Sequence, residues 1–188
     1  SFLKKQFALG LPLIAEPWVE RLFDFSTQWK IEADQIAFLG ATSFETTPRG
    51  TYLTTWVGKD FGPFKGALQE HLTLAKPLVQ KIQRFGFFGH LGIDAYVYKK
   101  GGKMRLQPVV EINGRKTMGW VALQWQKKQC PDGALCFSYR RAAASLYNKQ
   151  WSTALLPTSL QTRRKEVHFE KQIIYLLETP TKSLVSLT

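Results

Sequence analysis

Cysteine, methionine and histidine are scarce in this sequence: two, two and three among 188 residues. Cys130 and Cys136 are not spaced as zinc ligands, and His71, His90 and His168 sit in separate segments, so neither a zinc site nor a disulfide framework is expected. Two reduced, mostly buried thiols and a cytoplasmic setting are the reading. No run of about 18 apolar residues occurs, which predicts no membrane span. The opening stretch SFLKKQFALGLPLIAEPW lacks the features of a signal peptide: its apolar part is short, Pro12 interrupts it, and a small-residue cleavage pattern is missing. It reads as the end of a helix, so the chain is expected to be part of a longer one. Acidic residues are also few, 14 against 26 basic, leaving a net charge of +12. Such a balance fits either a polyanion-binding surface or a longer chain that carries the compensating charge. The basic residues come in scattered groups (Lys4-Lys5, Lys99-Lys100, Lys127-Lys128, Arg140-Arg141, Arg163-Arg164-Lys165) and form no tail or stripe, which argues against nucleic acid as a partner.

No internal repeat and no low-complexity segment interrupts the chain. Alternation and composition predict strands at Leu11–Glu16, Leu22–Trp29, Ile36–Phe44 and Tyr52–Val57, with a Pro-Gly turn at Thr46–Gly50 and a loop at Gly58–Pro63. Leu68, Leu72, Ala75, Leu78 and Ile82 recur at helical spacing, so Phe64–Phe85 is predicted as a helix that Pro77 kinks. Thr117 is placed to cap a helix over Met118–Lys128. Pro131-Asp132-Gly133 is a turn, Ala134–Tyr139 a strand, Arg141–Tyr147 a helix and Gln172–Leu177 a final strand. The expected class is α+β, a largely antiparallel sheet with packing helices in a single domain.

The most informative segment is GHLGIDAYVYKKGGKMRLQPVVEINGR. Strands Leu91–Tyr98 and Met104–Asn113 flank Gly101-Gly102, a two-residue hairpin signal. Setting Lys100 opposite Lys103 places Tyr98 opposite Arg105, Asp94 opposite Val109 and Gly92 opposite Glu111. One face then collects Leu91, Ile93, Ala95 and Val97 with Met104, Leu106, Val110 and Ile112 as a core-facing set. The other collects Asp94, Glu111 and Asn113, with the two carboxylates as diagonal neighbours roughly 7–8 Å apart. Two carboxylates on one face repel unless a cation sits between them. Mg²⁺ accepts oxygen ligands from one or two carboxylates and completes its shell with water and phosphate. A solvated polar face neutralised by Arg105 and Arg115 is an equal alternative on spacing alone.

The same segment resembles the closing segment of the ATP-grasp superfamily, in which an acidic strand, a hairpin and an E-x-N strand end follow one another. The resemblance implies that Asp94, Glu111 and Asn113 hold the Mg²⁺ or Mn²⁺ ions that bridge the ATP phosphates. Upstream, LPLIAEPWVERLFDFSTQW resembles the family's hinge. That implies an adenine slot lined by Glu16, Pro17, Trp18 and Val19, ribose contacts from Asp24 or Glu20, and Val110 pressing on the purine. Arg115 would face a substrate carboxylate or acyl phosphate. The implied chemistry is ATP-dependent ligation of a small-molecule carboxylate to an amine or similar nucleophile, and the implied subdomain is the C-terminal one. The likeness runs from about Leu11 to Leu123.

The sequence departs from the family upstream. Fifteen residues precede Glu16, and they hold no Gly/Ser-rich phosphate loop with its paired lysines. The remainder of a longer polypeptide is therefore an expected partner, and this chain is not expected to catalyse alone. GKDFGPFKG, with Lys59 and Lys65, fits no Walker pattern and reads as a packed loop. For Trp18, packing of the hinge into the core is preferred over stacking on adenine. His90 is read as packing at a strand start, and Gly50 with Tyr52 as a plain turn and strand rather than the border of a channel. Two other functions compete: a degenerate ATP-grasp scaffold, and a basic polyanion-binding module.

Overall fold

The computed structural model describes residues 2–13, 15–48, 50–58 and 60–138, and the strand segments Ser152–Leu155, Ser159–Gln161, Glu166–His168 and Gln172–Glu178. In chain order the elements are α1 (Phe2–Ala8), β1 (Arg21–Ile31), β2 (Ile36–Thr46), β3 (Tyr52–Val57), a 3₁₀ turn (Gly62–Phe64), α2 (Lys65–Arg84), β4 (Gly89–Lys100), β5 (Lys103–Asn113), α3 (Met118–Gln129), β6 (Ala134–Ser138), β7 (Ser152–Leu155), β8 (Ser159–Gln161), β9 (Glu166–His168) and β10 (Gln172–Glu178). Eight strands form one sheet in the order β5-β4-β1-β2-β3-β6-β10-β7, and β8 pairs with β9 apart from it. All the pairings are antiparallel, so the α+β class holds. The predicted helix Arg141–Tyr147 lies outside the described residues, as does Tyr139. Among the described residues no helix is long and apolar enough to cross a membrane.

The period-two pattern of β1 explains how the sheet is covered. Phe25, Thr27, Trp29 and Ile31 face α2, which buries His71, Ala75 and Val79 at four-residue intervals against them. Leu91, Ile93, Ala95 and Val97 of β4 complete this core. Pro77 sits on the exposed side of α2, within a helix that runs unbroken from Lys65 to Arg84. The alternate residues of β1, among them Ser26 and Gln28, face the opposite side of the sheet. There α3 packs Ala122 and Leu123 against Val57 and Leu135. Thr117 caps α3 as predicted, its hydroxyl oxygen accepting from the Trp120 N–H at 3.2 Å. The GKDFGPFKG loop packs as expected: Phe64 stacks on Phe23 at 4.5 Å, and Phe61 meets the same ring edge-on.

Three expectations are corrected. First, the described part of Leu11–Glu16 joins no sheet. Pro12 and Pro17 lack the N–H a ladder needs, and Leu11 and Leu13 stay exposed. Secondly, the β4–β5 register begins as predicted, with Lys100 opposite Lys103 and Tyr98 opposite Arg105, and Gly101 and Gly102 take the positive φ of the tight turn. It then shifts between Asp94 and Tyr96. Tyr96 pairs with Gln107, yet Asp94 pairs with Glu111 rather than Val109, and Gly92 with Asn113. Residues 108–110 thus lie opposite Ala95 alone, a bulge with two extra residues, for which Pro108 supplies a natural break. Two extra residues preserve the alternation of faces, so the polar set stays together. Thirdly, β5 contributes less to the core than its pattern predicts. It is the edge strand: Met104, Val110 and Ile112 are exposed, and Val109 packs into the core instead.

Candidate functional site

Two neighbouring hollows share part of their lining, and the smaller lies on the α3 side of the sheet. The smaller, about 270 Å³, is lined by Ser26, Thr42, Asp94, Glu111, Asn113, Arg115 and the first turn of α3, with Gly50 and Tyr52 on its far wall. The larger, about 610 Å³, runs from Trp18, Val19 and Glu20 past Arg21 and Asp24 to β2. Phe44 and Thr46 line both, so the two hollows adjoin at these residues.

Asp94 and Glu111 are direct cross-strand partners, closer than the diagonal neighbours predicted. Asn113 is buried beside them, whereas Glu111 and Arg115 are exposed at the rim. Burial pushes the Asp94 carboxyl above the usual carboxylate range. The Ser26 hydroxyl and Arg115 oppose that shift, while Glu111 and Asp24 add to it. A carboxylate that is desolvated and set among acids is a site with an unmet need for positive charge. The donors are all oxygen: two carboxylates and one amide. Among the described residues there is no cluster of three or more His, Cys, Asp or Glu. Such a set fits a hard cation that keeps water and phosphate in its shell, Mg²⁺ or Mn²⁺, and does not fit zinc.

The hinge is brought to the larger hollow only in part. Trp18, Val19, Glu20 and Asp24 line it, but Glu16 and Pro17 do not, and Val110 lines neither hollow. Trp18 is 79% exposed, so the preferred packing into the core is not what the fold does. Its ring lies 5.8 Å from the Arg21 guanidinium, which in turn sits 4.3 Å over Tyr96 and pairs with Asp24 at 3.2 Å. Burial raises the Asp24 pKa, and Arg21 works against it. Arg21 and Tyr96 escape the sequence reading because their link depends on the β1–β4 register. Once Asp94 is singled out, Tyr96 is its next same-face neighbour, and that signal is available. Ser26, Gln28 and Thr42 are missed for a similar reason: as polar residues within strands they carry no motif. Gly50 and Tyr52, read as a plain turn and strand, line the smaller hollow. His90 lines neither hollow; its ring meets Trp120 edge-on at 5.1 Å. Cys130 and Cys136 are free thiols, Cys136 fully buried. Lys59 lies outside the described residues, and Lys65 pairs with Asp60 at the surface.

No protein-family model matches the sequence, and no curated protein matches it. Solved structures do match by fold. One is N5-carboxyaminoimidazole synthetase from Staphylococcus aureus complexed with ADP, with a TM-score of 0.54 and 13% identity over 87% of this chain and 48% of that one. Another is N5-carboxyaminoimidazole ribonucleotide synthetase from Thermus thermophilus, with a TM-score of 0.51 and 13% identity over 94% and 52%. A variant of Rhizobium etli pyruvate carboxylase, with the allosteric activator acetyl coenzyme-A, gives a TM-score of 0.54 and 12% identity over 94% of this chain and 21% of that one. The likeness shows the fold: this chain has the ATP-grasp fold. It spans about half the length of the two synthetases.

Proposed function

We propose that this chain is the nucleotide- and metal-binding part of an ATP-dependent ligase that joins a small-molecule carboxylate to an amine or related nucleophile. The observation that carries the reading is the Asp94–Glu111 pair, opposed across β4 and β5 with buried Asn113 beside it, in a hollow that adjoins a larger one lined by Trp18, Val19 and Glu20. Asp94, Glu111 and Asn113 would hold Mg²⁺ or Mn²⁺, which when bound offsets the charge of a triphosphate. The hinge residues Trp18 to Glu20 take the base end. Asp24 accepts hydrogen bonds from the ribose hydroxyls, with Arg21 opposing the rise that burial imposes on its pKa. Arg115, at the rim of the smaller hollow, binds the substrate carboxylate and stabilises negative charge as it forms on the acyl phosphate. In that reaction a carboxylate oxygen attacks the γ-phosphorus and ADP leaves. The amine then displaces phosphate from the acyl group. The chain's own side chains bind and orient, and no protein nucleophile takes part. The remainder of a longer polypeptide supplies the phosphate clamp, and the cytoplasm supplies ATP.

Calorimetric titration of a non-hydrolysable ATP analogue with Mg²⁺ tests the reading, on the full polypeptide and on the double variant Asp94→Asn, Glu111→Gln. Metal-dependent binding that the double variant loses is expected. Binding that ignores both carboxylates overturns the assignment of the site, and an absence of binding favours a scaffold.

A further inference from the structure

A run of hydrogen bonds leads from the first turn of α3 to Ser26, the cross-strand partner of Asp94, and each donor in it points the same way. The Trp120 N–H donates to Thr117 Oγ1 at 3.2 Å. The Thr117 hydroxyl donates to Gln28 Oε1 at 2.7 Å, and Gln28 Nε2 donates to Ser26 Oγ at 2.8 Å. Thr117 already accepts from the helix backbone, so its proton faces Gln28 and fixes the amide oxygen on that side. Ser26, accepting from Gln28, is left with one proton to give. Asp94 is the direct cross-strand partner of Ser26, and the Ile93 carbonyl that the Ser26 hydroxyl meets is a long 3.4 Å away, so the proton is available to the neighbouring carboxylate. Ser26, Gln28 and Thr117 are all buried, so water does not compete for these bonds.

We infer that Ser26, Gln28 and Thr117 are positioning residues: they fix the side chain of Asp94 toward the cleft and couple its position to the N-terminal turn of α3. The packing around Gln28 supports this. A methyl group added at Gly92 would lie 2.6 Å from Thr117 Cγ2, and one added at Gly119 would lie 2.7 Å from Gln28 Nε2. Two glycines from different elements therefore let β4 and α3 close around one buried amide. Bonds aligned head to tail strengthen one another, and their donor end is the positive end of a helix. The run thus delivers a preorganised donor to the carboxylate. A shift of α3 when substrate enters the cleft would be felt at Asp94 through this run.

The consequence for metal binding rests on the proposed function; the coupling itself does not, and two measurements separate them. In metal-free protein, Asp94→Asn is expected to move the Trp120 amide resonance in ¹H–¹⁵N spectra, and Gln28→Leu is expected to abolish that response. A Trp120 amide indifferent to Asp94→Asn overturns the coupling. Mn²⁺ binding, followed by electron paramagnetic resonance on the full polypeptide with an ATP analogue, is expected to weaken roughly tenfold in Ser26→Ala and in Thr117→Val. Thr117→Ser, which keeps the hydroxyl, restores it. Gln28→Leu in the Ser26→Ala background adds no further loss. Additive losses, or losses that follow the melting temperature of each variant, overturn the positioning role. A parent protein that holds no Mn²⁺ overturns the metal reading, while the Trp120 response still decides the coupling. Ser26→Ala and the Thr117 variants keep both tests open should Gln28→Leu fail to fold.

Discussion

His71 joins α2 to the bulge that sets the site, and replacing it with leucine gives a measurable outcome. The ring is fully buried. Its Nε2 lies 2.8 Å from Thr27 Oγ1 and its Nδ1 2.9 Å from the Pro108 carbonyl. In His71→Leu the Pro108 carbonyl loses that partner at the core edge, at a cost of roughly 1–3 kcal/mol. Thr27 retains the Trp29 indole N–H at 3.0 Å, so its loss is nearer 1 kcal/mol. Leucine recovers roughly 1 kcal/mol through burial. The net expectation is a loss of about 2 kcal/mol, read as a lower midpoint in urea with an unchanged m-value. The pH dependence gives a second handle. Burial pushes the His71 pKa below the ordinary 6.5, and the Pro108 carbonyl only partly opposes this. The unfolded chain takes up a proton near 6.5 and the folded chain does not. The stability is therefore full above that pH and declines as pH drops below it. His71→Leu removes this part of the decline, so the two proteins converge in stability at acid pH. A variant that loses less than about 0.5 kcal/mol at neutral pH, or that keeps the whole acid-side slope, would refute the account of how the bulge is anchored.

Two further outcomes follow from the same geometry. Asp94→Asn is expected to raise the thermal midpoint of the metal-free protein. The folded carboxyl has a pKa above its unfolded value, so its ionisation weakens the fold as pH rises through the folded pKa, and calorimetry at neutral pH with and without Mg²⁺ checks the sign. Gly119→Ala is expected to cost about 1–3 kcal/mol by overpacking, because its methyl group meets Gln28 Nε2 at 2.7 Å and Thr42 Oγ1 at 2.9 Å; thermal melts of the variant measure this.

Much of this was readable in the sequence because period and turn chemistry are local. Tyr52–Val57 is a strand residue for residue, Gly101-Gly102 sets the hairpin, and Thr117 caps α3. Glu111 and Asn113 share a face by alternation alone, and Asp94 stays with them because the bulge adds an even number of residues. Most of the unread parts depend on distant contacts. The bulge at residues 108–110 is held from another element by His71, and nothing near Pro108 announces that bond. The fate of Trp18 depends on Arg21 and Tyr96, which meet only once β1 lies beside β4. Apolar content misled at Leu11–Glu16, where two prolines outweigh it, and at Val110 and Ile112, where the pattern is right but the strand lies at the sheet edge.

The two surplus residues of β5 also separate two tasks that a hairpin normally combines. Deleting Pro108 and Val109 together would let the ladder run straight from the turn and would still bring Glu111 opposite Asp94. Deleting either alone would send Glu111 and Asn113 to the α2 side. The pairing of the acids therefore does not require the bulge. What it adds is an attachment to His71 and a valine for the core, so the strand end that carries the acids is moored to the opposite layer of the fold. Length variants at this point should be tolerated in twos as far as the face is concerned, at the expense of that mooring.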